Sequence, residues 1–248
     1  MKETDLSERA IRRKTLLSFV FFFAFIAACV FGWKWLNRQP DIAGTPGPLR
    51  SALDRNEQLF SRILSDQHLS KTYPRSAAVK KVRVNGNAGM SADFDTAAWR
   101  LQVVRAAGDT LRLTLADIKS LPKTEIVFDF KCIEGWSQVT YWGGVRFSDF
   151  AERYGLGPQA RMLYTGLRTP DNGYYVGIDN RSMLHPQTIL CYEMNGRPLP
   201  MDQGYPLRLI IPVKYGIKHL KRIGTMFFSN ERPPDYWYER GYDYFSGL

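Results

Sequence analysis

Apolar residues follow three successive textures along this chain. Residues 15–33 (TLLSFVFFFAFIAACVFGW) are nineteen positions without a charge, enough as a helix to span a hydrocarbon core of roughly 30 Å. Residues 37–48 are rich in proline, glycine and polar side chains and predict a short linker. Leu49, Leu53, Phe60, Ile63 and Leu64 then recur at roughly helical spacing behind Pro48, which suits a first helical turn. That spacing predicts an amphipathic helix packed on the rest of the chain. From about Val79 the period falls to two: Trp99, Leu101 and Val103 alternate with Arg100, Gln102 and Val104, and Leu111, Leu113, Leu115 and Ile126, Phe128, Phe130 repeat the pattern. Further strands are expected over 162–165, 174–178, 189–194, 207–211 and 226–228, and short helices over 116–121 and 147–154.

Many short strands, turns such as Asn195-Gly196 and Pro233-Pro234, and no regular intervening helices predict a β-rich α+β domain rather than a doubly wound sheet. No GxGxxG opens a helix after a strand, and there is no Walker loop. The expected organisation is an N-terminus over 1–14, a transmembrane anchor over 15–36, linker and helix over 37–78, and one domain over 79–248.

The basic residues Arg9, Arg12, Arg13 and Lys14 precede the apolar run, with only Lys34 and Arg38 close behind it. Positive-inside bias then leaves the N-terminus cytoplasmic and the bulk of the chain outside, across a membrane crossed once. Arg12-Arg13 is also a partial twin-arginine pattern, and Ile26-Ala27-Ala28-Cys29 resembles a lipoprotein cleavage box. The apolar run continues through Val30, Phe31, Trp33, Trp35 and Leu36, which favours an uncleaved anchor.

Net charge is +10 over 248 residues, of which the first forty supply +4 (seven Lys/Arg against three Asp/Glu). The rest is too dilute for a nucleic-acid footprint and suits an anionic cofactor or substrate better. The three cysteines, Cys29, Cys132 and Cys191, form no disulfide framework and no zinc pattern. Cys191 lies in an apolar strand and reads as core. Cys132 follows a strand in Phe130-Lys131-Cys132-Ile133-Glu134-Gly135-Trp136-Ser137. It reads either as a small buried hydrophobe or as a thiolate favoured by Lys131, with Glu134 as a proton source beside it.

CIEGWS at 132–137, PLPMDQGYPLRLIIPVKYGIKHLKRIG at 198–224 and ERPPDYW at 231–237 together resemble the molybdopterin-binding domain of the sulfite oxidase superfamily, over about Trp99 to Trp237. Within it the segment is most similar to the branch formed by catalytic subunits of bacterial periplasmic methionine sulfoxide reductases. The resemblance implies molybdenum held by one pterin dithiolene, by oxo or hydroxo groups and by a single cysteine thiolate, which falls on Cys132. It also implies cofactor contacts at Thr165, Arg208, Lys218, His219, Leu220 and Lys221, and more loosely at Arg83 and Asn85. Gln203 stands where the reductase branch has asparagine and sulfite oxidases have histidine, so that pterin contact is expected to persist with altered geometry. A terminal phosphate asks for a guanidinium, an ammonium and backbone donors, which Arg208 and residues 215–221 offer, with Gly216 allowing close approach. Lys214, Lys218 and Arg222 read equally as a solvated basic face.

Glu134 matches a carboxylate of the reductase branch. An acid two residues after the metal cysteine would repel sulfite, and its proton could help an oxide oxygen depart as water. The expected activity is therefore two-electron reduction of a small sulfoxide or N-oxide. Haem, flavin and iron–sulfur motifs are missing, so a membrane electron donor such as a b-type cytochrome is the expected partner. The chain stops soon after Trp237, without the dimerisation domain of sulfite oxidases, so the soluble part is expected to be monomeric. The alternatives are a sulfite-oxidase-like oxidase and a non-catalytic binding module on the same fold.

Overall fold

A computed structural model describes residues 8–63 and 68–247. The chain divides into two compact units, Met1–Ala52 and Leu53–Leu248. In the first, α1 (Glu8–Leu36) is the one helix among the described residues long and apolar enough to cross a membrane, and none of its residues is buried. At about 1.5 Å per residue it is roughly 44 Å long, so it covers the apolar run and continues into the charged flanks. The expected linker is structured. Strands β1 (Asp41–Ile42) and β2 (Thr45–Pro46) pair across Ala43-Gly44, both at positive φ, a conformation suited to a two-residue hairpin. Buried Arg50 locks that turn by donating to Ile42 O (3.3 Å), Ala43 O (2.7 Å) and Thr45 Oγ1 (3.3 Å).

Helix α2 (Gly47–Ile63) matches the spacing argument, with Pro48 in its first turn. From Leu53 onward the helix belongs to the second unit, where it carries an ionic contact. Asp54 and Glu57, one turn apart, both face Arg232, at 3.4 and 2.8 Å, while Leu59 is exposed. Leu64, expected on its apolar stripe, lies outside the described residues.

Residues 68–79 already lie along the second unit: Ser70 N donates to Gln187 Oε1 (2.8 Å), Tyr73 N to Val127 O (3.0 Å) and Val79 N to Val139 O (3.0 Å). The chain then forms β3 (Leu101–Ala106), β4 (Asp109–Leu113), α3 (Leu115–Lys119), β5 (Lys123–Lys131), β6 (Ser137–Arg146), α4 (Phe147–Arg153) and α5 (Gly157–Ala160). It continues through β7 (Tyr164–Arg168), β8 (Tyr175–Asp179), α6 (Asn180–Met183), β9 (Ile189–Met194), β10 (Arg197–Pro198), β11 (Arg208–Ile210) and β12 (Thr225–Ser229).

The strands make two five-stranded sheets, as a β-rich α+β domain requires. One runs β4-β3-β12-β7-β8, antiparallel except for the parallel β3–β12 pair; the other runs β10-β9-β6-β5, with β11 also pairing β9. The main core holds Leu101, Val103, Val145, Phe147, Phe150, Leu167, Ile178, Leu209 and Met226. A smaller cluster, Ile126, Phe128, Trp142, Ile189, Cys191, Leu199 and Ile210, fills the other face of the second sheet. The alternating residues Ile126, Phe128 and Phe130 thus face this second cluster, which becomes the floor of the site described below.

Residue patterning locates most of the longer strands but misses β6, as well as the two-residue strands β1, β2 and β10. β6 is buried at six consecutive positions, Thr140 to Val145, so both of its faces are covered and no alternation marks it. Its Gly144 is required by close packing: a Cβ there would lie 2.7 Å from Cys191 Cα on β9. β7 begins two residues later than expected and runs on through Gly166, over which the Phe227 ring packs.

The 214–222 segment is not a solvated basic face. Lys214 is 2% exposed, pairs with Asp179 at 2.7 Å and lies against the Phe245 ring. Lys218 is 1% exposed and ion-paired with Asp235, and it also donates to Gly177 O at 3.0 Å. Arg222 is buried against Phe94 and donates to Ser91 O at 2.7 Å. Removing one partner of a buried ion pair strands the other charge, so Lys218→Met is expected to destabilise the domain by about 3–5 kcal/mol, read as a lower urea midpoint.

Candidate active site

β5 and β6 form a hairpin whose loop carries Cys132. Cys132 N donates to Trp136 O (2.9 Å), Gly135 N donates to Cys132 O (3.0 Å), and Gly135 sits at φ +87°, which fits glycine and tightens the loop. Cys132 is 6% exposed and opens onto a cavity of about 140 Å³. Around it stand Arg83, Asn85, Phe130, Glu134, Trp136, Trp142, Tyr174, Gln203, Arg208, Ile217, His219, Lys221, Trp237 and Tyr242. Eight of the eleven residues expected at a cofactor site therefore converge, from four separate stretches of chain.

Asn85 Nδ2 donates to Cys132 Sγ at 3.7 Å. Burial pushes the Cys132 thiol above its ordinary pKa and the Glu134 carboxylate adds to this, against the Glu134 N–H, Asn85 and Arg83. Lys131, the expected source of thiolate character, is exposed and does not act on it. A bound soft metal would supply that stabilisation instead. Glu134 also differs from expectation. It is fully exposed, and hydrogen bonds from the Trp136 indole (3.0 Å) and from Asn85 hold it below the usual carboxylate range. A carboxylate held ionised acts by charge and as an acceptor, not as a proton source at neutral pH.

The cavity's other end is cationic. Arg208 is 3% exposed, lies 4.6 Å from the Trp142 ring, and donates from Nη1 to Gln203 O (3.0 Å) and Oε1 (2.9 Å). Its buried Nε has no hydrogen-bond partner among the described residues. Burial pushes Arg208 down to about 10, and burial with the neighbouring Arg208 charge pushes Lys221 down to about 8. Lys221 donates only to carbonyls: Asn85 O (2.8 Å), Gly86 O (3.0 Å) and Asp202 O (3.2 Å). Arg208, buried without an ion-paired carboxylate, and half-buried Lys221, with only the Asp202 charge acting to favour its cation, together suit an anion.

His219 lines this end without a free nitrogen. Its Nδ1 accepts from Ile211 N (3.4 Å), which leaves the Nε2 proton to donate to Lys214 O (3.1 Å). The ring packs on Phe128 and Phe130, and burial pushes its pKa down to about 3, so it stays neutral. Gly216 serves packing as well as access: a Cβ there would meet the Phe130 ring at 2.8 Å.

Three expected contacts lie elsewhere. Thr165 is buried on β7 and hydrogen-bonded to Asn180 at 2.5 Å. Lys218 turns away to Asp235, and Leu220 is in the main core. Lys218 closes a short 3-10 turn (Gly216–Lys218) and the chain bends again at 221–222, a path that brings His219 and Lys221 to the cavity and leaves Lys218 and Leu220 off its lining. Trp237 and Tyr242, which line the mouth with ring centroids 5.0 Å apart, were not singled out as site residues; the aromatic cluster around Pro233-Pro234 was the available signal.

The model of the oxidoreductase molybdopterin-binding domain matches residues 87–237, more than half of the chain. The chain belongs to this family. The putative protein-methionine-sulfoxide reductase subunit YedZ1 of Azospira oryzae is 34% identical over 75% of this chain and 70% of its own length. The protein-methionine-sulfoxide reductase catalytic subunit MsrP of Xanthomonas axonopodis is 30% identical over 53% of this chain, and the sulfite oxidase of Rattus norvegicus 29% over 62%. Of those two proteins the match spans only 45% and 33%. The sulfane dehydrogenase SoxCD of Paracoccus pantotrophus shares the fold at TM-score 0.50, with 15% identity over 67% of this chain and 46% of that one.

Membership makes the protein a molybdopterin-dependent oxidoreductase, and the family implies a molybdenum cofactor. The residues present fit it. Among the described residues no three His, Cys, Asp or Glu side chains converge on a metal position, so a single thiol suits a metal that brings most of its donors with it. The unmatched Arg208 Nε and the carbonyl-only contacts of Lys221 suit a phosphate-bearing pterin. Arg208→Met and Lys221→Met are each expected to lower the molybdenum that copurifies with the protein. For Arg208→Met the urea midpoint should stay level or rise, since a buried charge without an ion-paired carboxylate is removed.

Proposed function

We propose that the domain reduces a small neutral oxide, a sulfoxide or an N-oxide, by two-electron oxygen-atom transfer, using electrons from a membrane partner. When bound, the molybdenum cofactor supplies the oxygen-atom transfer itself. Cys132 would hold the metal, with the Asn85 amide on its sulfur. Arg208 and Lys221 would hold the pterin phosphate. Phe130 and Trp142 exclude water beneath.

The observation that carries the direction is the contrast between the two ends of the cavity. The buried end holds Arg208 and Lys221, and the mouth is walled by Ile133, Trp136, Tyr174, Ile217, Trp237 and Tyr242, with ionised Glu134 on its rim. Apolar and aromatic walls accept the carbon substituents of a sulfoxide, whereas a fixed negative charge opposes entry of sulfite. Arg83, stacked on Trp136 at 4.7 Å, balances Glu134 in part. The reductase names carried by the relatives from Azospira and Xanthomonas support the same direction.

For placement, the exposed apolar helix α1 and the cluster Arg9, Arg12, Arg13, Lys14 support a single span with the domain on the periplasmic side. A b-type cytochrome in the same membrane suits the donor role, because the chain carries no haem or iron–sulfur motif of its own.

Protein produced in a molybdopterin-making cell is expected to carry about one molybdenum per chain and to reduce sulfoxides or N-oxides with an artificial reductant faster than it oxidises sulfite. Cys132→Ser should drop that reduction to background, since an alkoxide is a poor substitute for a soft thiolate. Glu134→Gln keeps an acceptor for Trp136 but removes the charge, and should raise sulfite oxidation relative to oxide reduction. Brisk sulfite oxidation with no turnover of any oxide would reverse the assigned direction. A reporter enzyme fused after Leu248 should be active only outside the cytoplasm, and cytoplasmic activity would overturn the topology.

A further inference from the structure

The 82–86 stretch belongs to no helix or strand, yet two side chains take four of its carbonyls. Gln203 Nε2 donates to Val82 O (3.4 Å) and Arg83 O (3.3 Å). Lys221 Nζ donates to Asn85 O and Gly86 O, and also to Asp202 O, next to Gln203. The opposite side of the same amide, Gln203 Oε1, accepts from Arg208 Nη1 at 2.9 Å, and Gln203 is 2% exposed. At the far end of the stretch, Asn85 reaches Cys132 Sγ. One continuous set of hydrogen bonds therefore joins the buried guanidinium to the thiol.

We infer that Gln203 is a positioning residue. It splints the anion-binding Arg208 to the 82–86 stretch and thereby fixes the Asn85 amide on the Cys132 sulfur. This rests on Cys132 being the protein ligand of the metal. Length is what makes glutamine able to do it. An asparagine amide ends one carbon–carbon bond earlier, about 1.5 Å, and the contacts to Val82 and Arg83 already stand near the limit of a hydrogen bond. The shorter side chain holds Arg208 or the stretch, not both. The consequence reaches the metal because a hydrogen bond to a ligating sulfur withdraws electron density and helps set the reduction potential.

The test uses cofactor-loaded wild type, Gln203→Asn, Gln203→Ala, Asn85→Ala and the double variant Gln203→Ala/Asn85→Ala. Reduction potential is followed by the paramagnetic signal of the metal. Tryptic cleavage after Arg83 is followed by mass spectrometry against cleavage after Lys71. Both Gln203 variants are expected to shift the potential negative, in the direction of Asn85→Ala, and the double variant no further than Asn85→Ala alone. Cleavage after Arg83 should quicken about tenfold, the equivalent of one or two net hydrogen bonds. A wild-type potential in Gln203→Ala, additive shifts in the double variant, or unchanged cleavage would each overturn the splint. Should Gln203→Ala fail to accumulate, Gln203→Asn carries the comparison by itself. Wild-type protein without molybdenum would overturn the cofactor reading instead, and the cleavage rates would still decide whether the splint exists.

Discussion

A guanidinium removed from water must have its N–H groups satisfied, and Arg208 has only the two oxygens of Gln203 and the face of Trp142, with its Nε unmatched among the described residues. Its neighbours show how differently buried cations can be settled in one segment. Lys214 and Lys218 are neutralised by Asp179 and Asp235, and Arg222 is satisfied by backbone carbonyls and an aromatic ring. Those three are structural. Arg208 is desolvated without such a partner, Lys221 is half-buried and hydrogen-bonded only to carbonyls, and both share one cavity with the thiol. The imbalance is what marks this end of the domain as a site rather than a core.

The aromatic floor makes the imbalance possible. Phe128, Phe130 and Trp142 on β5 and β6 keep water from the cations, and His219, with both ring nitrogens committed to backbone, fills the remaining space as a neutral group. In such surroundings each charge acts over a longer range than it would in water. Hydrogen bonds hold exposed Glu134 below the usual carboxylate range, while burial pushes the Cys132 thiol up; under the proposed function the first would screen what approaches and a bound metal would stabilise the second. The two carboxylates differ by position: Asp235 is buried in an ion pair with Lys218, and Glu134 is exposed beside the cavity.

Local signals sufficed for the parts of this protein that depend on neighbours in sequence. The apolar run of α1, the period-two strands β3, β4 and β5, the apolar strand β9 and the short helices after Thr114 and Arg146 all follow from spacing and residue type. Three ordered motif blocks were enough for family and cofactor. What sequence could not supply was the direction in which each side chain faces. The run Lys218-His219-Leu220-Lys221 holds four expected contacts, and only the chain's path between the sheets turns His219 and Lys221 inward while Lys218 and Leu220 face the other way. Strand β6 was invisible because burial on both faces erases periodicity. Protonation also belonged to the fold: Lys131 is the nearest basic residue to Cys132 in sequence and has no part in its electrostatics, whereas Asn85 and Arg83, some fifty positions earlier, reach it in space. Residue types and their order determined what chemistry was available. Desolvation and facing, which depend on contacts distant in sequence, determined which residues perform it.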